Sequence, residues 1–400
     1  MKIYTWESLK EFQQRDCKQK LIVIEGKVYD VTKFMHKHPG GAKLLGAYAG
    51  EDATDAWVAL HNDKELVENR PARISDAYAS WPSRPLVRAA AVLHQVPAPV
   101  LGIRVGRCAA AMAVRPAHLD CTASGPAAVH RQAQAGWAQH DYGHLSVFNS
   151  RRLNHIGHEL VVGHMKGASS HWWNFRHFLH HSKPNVVGAD PDINVPYLFL
   201  LGDKMPQEWG KRRRGFMPYN WQHDYFWLLG PPMLLPLYFH YENIYFIFKR
   251  GDWRDFVWTL SFFLKFFFYV FNHFFPSWLA TFGFYICLCA TWIALVFVAC
   301  TQMSHIPMDI DRDQRREPPE CRRRLINDWF TGHLNYQIEH HLFPTMPRHS
   351  YPLVQPHVKQ LCARHGIPYV EKPLSTALAD IIRSLKKSGE LWLEAYQMPG

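Results

Sequence analysis

Three short histidine-rich segments constrain this chain more than any other feature of its sequence. They are HDYGH at residues 140–144, HFLHH at 177–181 and QIEHH at 337–341. Residues at positions i, i+3 and i+4 of a helix share one face, so each segment, if helical, presents two or three side chains in one direction. Nine of the 42 residues from 140 to 181 are histidine, a density that chance spacing on solvated helices does not explain.

Together these segments supply enough ring nitrogens for two metal ions rather than one. Imidazole binds iron, copper, zinc and nickel, and a tetrahedral zinc site is complete with four ligands. Asp141 is a candidate acceptor for the hydrogen bond of a ligand imidazole. Asp190-Pro191-Asp192 is either a brace for ligands or a turn, and the turn is the favoured interpretation. The other histidines of this region lie outside the three histidine-rich segments, and we interpret them as surface or substrate-contacting residues: His155, His158, His164 and His171.

Residues 1–70 have the character of a separate soluble domain. Strand-like runs at 21–24 and 28–31 precede a His38-Pro39-Gly40-Gly41 loop, whose glycines permit close backbone approach, and His61 follows on a predicted helix. This pattern resembles the cytochrome b5 fold. The resemblance implies a haem b between His38 and His61, with no open iron position, and therefore electron transfer rather than oxygen binding.

Acidic residues follow the His-Pro-Gly-Gly loop. They are Glu51, Asp52 and Asp55. Opposite charges guide the association of proteins, so these carboxylates are expected to flank the haem edge and meet a basic reductase. Ordinary solvated surface is the alternative interpretation, and the sequence does not separate the two.

The histidine segments, with QAQAGW before the first and HLFPTMPRH after the last, resemble the membrane fatty acid desaturases. The glutamine that opens QIEHH, together with the N-terminal domain, resembles the front-end acyl-CoA desaturases of animals, the delta-5 and delta-6 family. The resemblance implies two non-haem irons held by His140, His144, His177, His180, His181, His305, Gln337, His340 and His341. It implies no catalytic residue beyond these metal ligands.

The reaction that the resemblance implies is an oxidation by O2. Electrons from NADH would pass through cytochrome b5 reductase and the fused haem, and a cis double bond would form in a polyunsaturated fatty acyl-CoA. Three alternatives stay open: a sphingoid-base desaturase, a membrane lipid hydroxylase and a catalytically inactive haem-binding isoform.

Apolar segments predict an integral membrane protein. Segments 226–248 and 278–300 are predicted spans, and 256–275, with Lys265 near its middle, is predicted to be interfacial or re-entrant. One metal site shared by the second and third histidine segments requires an even number of crossings between them. The resemblance places the protein in the endoplasmic reticulum membrane as a multi-pass protein, with the termini and histidine segments cytosolic.

Charge and cysteine content narrow the possible partners. The net charge is +11, and the basic run at residues 211–214 lies beside apolar sequence, which favours contact with membrane lipid over nucleic acid. No nucleic-acid-binding motif is present. Eight cysteines are scattered without a CxxC motif, which predicts reduced thiols rather than a disulfide framework.

Residues 71–130 form an atypical linker or a degenerate membrane region. No window of about 20 residues there is free of charge or proline, so no convincing spanning helix is predicted. An altered exon junction or isoform, a divergent linker with a weak span near 100–114, and a functional insertion are the open interpretations. The basic segment 312–325 is a second local departure from the family pattern.

The predicted fold has two parts. An α+β cytochrome b5-like domain at residues 1–70 precedes, after the linker, an all-α integral membrane desaturase domain at 131–400. The second part carries a cytosolic, histidine-rich di-iron cap. Its tail, with Leu361, Ile381 and Leu385, is predicted to form amphipathic helices that cover the site.

Overall fold

A computed structural model describes much of the N-terminal domain and most of the chain beyond residue 125. The described residues are 3–4, 6–15, 18–24, 26–38, 42–54, 56–57, 73–79, 126–195, 197–234, 240–274, 277–284, 305–307, 310, 320–321 and 325–398. His61 and Asp55 lie outside them, as do most of the linker and most of 285–324. Predictions made for those residues remain predictions.

The N-terminal domain is a small sheet with helices against it. Its strands are β1 (Ile3–Tyr4), β2 (Leu21–Ile24), β3 (Lys27–Asp30) and β4 (Arg73–Ala79), in the spatial order β1-β4-β3-β2. Its helices are α1 (Trp6–Arg15) and α2 (Ala42–Ala47). Strands β2 and β3 form an antiparallel hairpin, and β1 pairs with β4 in parallel. Strand β4 lies within the segment that we assigned to the linker.

Strand β2 is buried on both of its faces. Its odd-numbered residues pack with Leu9 and Val28, and its even-numbered residues pack with Tyr29 and Trp57. Burial on both faces explains why this strand is a continuous apolar run instead of an alternating one. The strands predicted at 21–24 and 28–31 are confirmed, although the second begins and ends one residue earlier than predicted.

The rest of the described chain is mainly helical. Its helices are α3 (Pro126–Gly143), α4 (Arg151–His158), α5 (Ser170–Ser182), α6 (Lys204–Lys211), α7 (Gln222–Leu234), α8 (Asn243–Arg250), α9 (Trp253–Phe274), α10 (Trp278–Phe284), α11 (Leu325–Phe330), α12 (Gln337–Leu342), α13 (Tyr351–Arg364) and α14 (Leu374–Gln397). A π-helical segment, Glu159–Met165, continues α4. Two-residue strands β5 (Glu320–Cys321) and β6 (Glu371–Lys372) pair in parallel. This order confirms an α+β domain followed by a helical one.

The C-terminal helix α14 packs closely on the helical domain. Ile381 and Leu385 are fully buried in a cluster that includes Phe226 of α7. At Gly389 a Cβ atom would lie 2.5 Å from the carbonyl oxygen of Tyr219, so glycine is required for the backbones to approach this closely. The amphipathic character predicted for the tail is confirmed.

Helix α9 runs without a break over the segment predicted to be interfacial or re-entrant. Four side chains that are more than half exposed follow one face of the helix: Trp253, Val257, Leu264 and Phe268. On the inner face Phe262 is buried, and Lys265 donates a hydrogen bond to the carbonyl oxygen of His164 (3.3 Å). The lysine that interrupts this apolar segment therefore points toward the protein.

Among the described helices, none has both the length and the apolar content needed to cross a bilayer. The predicted span 226–248 includes residues 235–239, and the predicted span 278–300 includes 285–300, which are outside the described residues. Both spans therefore stay predictions.

A buried carboxylate on α9 fixes the start of α5. Asp255 accepts hydrogen bonds from the hydroxyl groups of Ser169 and Ser170 and from the backbone N–H of His171 (3.0 Å). An anionic acceptor suits a helix N-terminus, where backbone N–H groups are otherwise unpaired. This contact determines where the helix of the second histidine segment begins.

Replacement of Asp255 by alanine is expected to destabilise the protein by about 1–3 kcal/mol, because buried donors lose their acceptor. Thermal unfolding of the purified protein should show a lower Tm. The exposed Glu390 of α14 provides the control, since Glu390→Ala should change stability by no more than about 0.5 kcal/mol. Equal melting temperatures for the two variants would contradict this role of Asp255.

Candidate metal centre

The three histidine segments lie on three helices whose ends meet. HDYGH ends α3, with His144 just beyond the helix; HFLHH forms much of the second half of α5; and QIEHH makes up most of α12. The backbone N–H of His144 donates to the carbonyl oxygen of His140 (3.0 Å), so the helical spacing of this pair is preserved. Each segment therefore has the helical arrangement that its spacing predicts.

Five of the predicted ligand histidines form one group. Their ring nitrogens all lie within 4.8 Å of one another, and the members are His140, His144, His177, His181 and His340. The Nε2 atoms of His144 and His177 are 2.7 Å apart, and those of His181 and His177 are 3.1 Å apart. Imidazoles from three helices thus bring their nitrogens to one point, as a transition-metal site requires.

The other three predicted histidines form a second group beside the first. Ring nitrogens of His180, His305 and His341 lie within 4.8 Å of one another. Gln337 is buried and lines the same cavity as His305 and His341. The rings of His181 and His341 stack with centroids 4.3 Å apart and connect the two groups. The structure therefore brings together all nine residues that were predicted as metal ligands.

Burial keeps most of these imidazoles neutral. It is the largest cause of a lowered pKa in six of them: His140, His144, His177, His181, His305 and His340. The pKa of His305 falls to about 3. A neutral imidazole keeps the lone pair that binds a metal, so the site is prepared for metal ions rather than for protons.

His180 differs because a carboxylate lies against its ring. Burial lowers its pKa, but the charge of Asp190 and a hydrogen bond from Nδ1 to Oδ2 (2.9 Å) outweigh burial and raise the pKa to about 9. Asp190 is fully buried and also accepts from the backbone N–H groups of Asn185 and Asp192, each at 2.8 Å. Burial raises the pKa of Asp190, and His180 with these donors reverses the shift.

The Asp190–His180 contact has a direct use in a metal site. An imidazole that donates from Nδ1 to a carboxylate presents Nε2 to a metal. The sequence offers two interpretations of Asp190-Pro191-Asp192, a turn and a brace for ligands, and favours the turn. The structure shows both, because 191–193 form a turn and Asp190 hydrogen-bonds to His180.

The predicted role of Asp141 is only partly realised. Its Oδ1 lies 3.9 Å from Nδ1 of His140, which is too long for a hydrogen bond. Its Oδ2 instead accepts from Nε of Arg348 (2.9 Å). In the third segment, Nδ1 of His340 lies 3.1 Å from the hydroxyl of Tyr351. Side chains from the turn before α13, and from α13 itself, therefore contact the histidine segments.

Trp173 organises the packing around the first group. Its ring stacks on His177 with centroids 4.2 Å apart, and a Cβ at Gly143 would lie 2.2 Å from the same ring. Residue 143 of HDYGH is therefore glycine because any larger side chain would clash with Trp173.

His158 also contacts Trp173, with centroids 5.2 Å apart. It is fully buried, and burial lowers its pKa to about 3. Neither ring nitrogen has a hydrogen-bond partner in the described part of the chain. The interpretation of His158 as a surface residue is wrong, because helix α4 turns it inward. The alternative, contact with the substrate, stays a prediction.

The donor set fits two metal ions. Buried ring nitrogens with no hydrogen-bond partner among the described residues occur in both groups: Nε2 of His140, Nδ1 of His144, Nδ1 of His181 and Nδ1 of His305. Such nitrogens cost free energy unless another group uses them. Five imidazoles exceed a tetrahedral zinc site, and three more with a glutamine form a separate set, so these residues fit a di-iron centre.

The predicted haem ligands are described only in part. His38 follows β3 and its ring lies edge-to-face with Phe34, with centroids 5.8 Å apart. His61 lies outside the described residues. The pairing of these two histidines across a haem therefore stays a prediction.

Two family models match the chain. One, described as fatty acid desaturase, matches residues 121–373 and spans all nine predicted metal ligands. The other, described as cytochrome b5-like haem/steroid binding domain, matches residues 5–96 and spans both predicted haem ligands.

Replacement of Asp190 by asparagine is expected to lower metal affinity about 10–100-fold, because the carboxylate that orients His180 is lost. The iron content of the purified variant, measured after graded exposure to a chelator, gives this change. The matched control is Asp203→Asn, at a surface carboxylate that pairs with Lys387. Equal iron retention by both variants would show that Asp190 does not position the ligand.

Proposed function

The chain belongs to the fatty acid desaturase family and carries a cytochrome b5-like domain, and we propose that it is a front-end desaturase. The proposed reaction introduces a cis double bond into a polyunsaturated fatty acyl-CoA, as a delta-5 or delta-6 enzyme. O2 is the oxidant, and NADH supplies electrons through a reductase and the haem domain.

One observation carries this proposal: the convergence of eight histidines and Gln337 from separate helices into two adjacent groups. Two irons held there would supply the oxidising power that an unactivated methylene requires. The protein supplies neutral ligands that keep lone pairs available. It also supplies a water-poor setting, since His144, His340 and His341 are each no more than 3% exposed. Excluding water protects the reaction from side reactions.

The glutamine at the head of the third segment supports the front-end assignment. Gln337 lies where other membrane desaturases have histidine, and the front-end group keeps glutamine there. Its buried side chain lines the same cavity as His305, so its amide is available to the second group. An amide oxygen is a neutral ligand, so this substitution leaves the charge of the ligand set unchanged.

We further propose that the protein lies in the endoplasmic reticulum membrane with its histidine segments facing the cytosol. The exposed apolar face of α9 supports contact with lipid. The four exposed cations at 211–214 are followed by exposed Phe216 and Trp221. Such a combination suits the interface between acyl chains and anionic headgroups.

Yeast expressing the chain and fed defined polyunsaturated acids is expected to form a new double bond nearer the carboxyl end, located by mass spectrometry. His180→Ala should abolish this product while leaving the haem absorption spectrum intact, because the two cofactors are held by different residues. His365→Ala, at an exposed position in the same half of the chain, is the matched control. Hydroxylated acids or desaturated sphingoid bases as the products would replace the proposed reaction with one of those activities.

The purified chain is expected to contain about two irons in addition to one haem, because the two histidine groups form two ligand sets. Elemental analysis combined with a pyridine haemochrome assay separates the two kinds of iron. Haem iron alone, in protein purified under conditions that preserve non-haem iron in a desaturase standard, would indicate the catalytically inactive isoform.

A further inference from the structure

The N-terminal domain contacts the helical domain along α5. The hydroxyl of Tyr48 donates a hydrogen bond to the main-chain oxygen of Ser182 (2.9 Å). Ser182 is the last residue of α5 and directly follows His181. The bond is buried and joins positions 134 residues apart, so it connects parts of the chain that sequence proximity does not hold together.

An ion pair lies beside this hydrogen bond. Lys183 donates to the carboxylate of Glu51, and its ammonium group lies 5.5 Å from the centre of the Tyr48 ring. Lys43 is placed in the same way over the ring of Phe175, at 5.9 Å. Cations are attracted to aromatic faces. These contacts extend from the middle of α5 to its C-terminal end.

Among the described residues, the three of the N-terminal domain that make these contacts lie between its two predicted haem ligands in sequence. Lys43 is on α2, which begins four residues after His38, and Tyr48 and Glu51 follow before His61. The segment between the two predicted haem ligands is therefore the part of the described domain that faces α5.

We propose that the C-terminal end of α5 is the docking site of the chain's own haem-binding domain. Tyr48 and Glu51 on the domain, with Ser182 and Lys183 on the helix, form this docking surface. It places the segment between the haem ligands against the helical turn that carries His181. The occupant is the domain of the same chain rather than a separate haem protein, because its side chains already satisfy the groups that α5 offers.

The contact is suited to orientation and release rather than to permanent attachment. The side chain of Glu51 is 46% exposed and that of Lys183 is 18% exposed. Partly exposed ion pairs contribute little to stability and weaken with salt, and polar interfaces between domains permit relative motion. On the basis of the proposed function, one consequence follows. Binding of a basic reductase through Glu51 and docking on α5 compete, since both use the same carboxylate.

Zero-length cross-linking of the full chain tests the docking surface. A carbodiimide joins a carboxylate to an amine only when the two are in contact, so a Glu51–Lys183 peptide is expected in the digest. Asp203 and Lys387 form an exposed ion pair at 2.9 Å within the helical domain. Their cross-link serves as the internal control that each variant is folded.

Charge-swap variants provide the matched controls. Lys183→Glu and Glu51→Lys should each abolish the cross-link, and the double variant should restore one between the same positions to within about twofold of the original yield. Tyr48→Phe keeps both charges and should slow cross-linking about fivefold, because the hydrogen bond to Ser182 is lost.

Two results would overturn the docking surface. One is absence of the Glu51–Lys183 peptide from protein that forms the Asp203–Lys387 peptide, and the other is failure of the double variant to restore the cross-link. The readout requires no turnover. If the chain cross-links but makes no desaturated product, the docking surface is supported and the proposed function is wrong. If the chain makes the product but does not cross-link, the proposed function is supported and the docking surface is wrong.

Discussion

The rest of this structure depends on holding eight imidazoles together in a buried site, where water does not hydrogen-bond to their ring nitrogens. Ring nitrogens lie within 4.8 Å of one another in each group, and several have no protein partner among the described residues. Without ions this arrangement is unfavourable, because buried polar atoms lack hydrogen bonds. The surrounding packing compensates. Trp173 fixes one group, Asp190 orients the exceptional histidine, and α13 with the turn before it contacts the first and third segments.

Sequence reasoning found the ligands because helical spacing is a local property. The i, i+3 and i+4 positions in HFLHH face one way whatever the rest of the fold does, so the direction of His177, His180 and His181 could be predicted. The apolar run at 21–24 that predicts strand β2 is likewise a local feature of the sequence. The family resemblance supplied His305 and Gln337, which spacing did not identify, and the structure places both in the second group.

Helical spacing does not identify the residues that support the ligands, and the sequence offers Asp190 as a brace only beside the favoured interpretation of a turn. Asp190 reaches His180 through a turn, and Tyr351 reaches His340 from the next helix. In each case the two residues lie in different structural elements, so no helical or strand period relates them. His158 is a histidine, like the ligands, but it lies outside the three histidine-rich segments. Its burial depends on how α4 packs near Trp173. Tertiary contacts of this kind follow from the path of the chain, which local patterns do not determine.

The π-helical segment between α4 and α5 has a consequence for the geometry of the whole centre. Such a segment is an α-helix with one additional residue, and each residue of an α-helix advances the chain by about 100°. Loss of one residue from Glu159–Met165 would restore regular pitch and rotate Lys166 and the following chain about the helix axis. The number of residues in this segment therefore sets the direction in which the chain leaves it toward α5. A single-residue deletion here changes that direction, whereas a substitution leaves the number of residues unchanged.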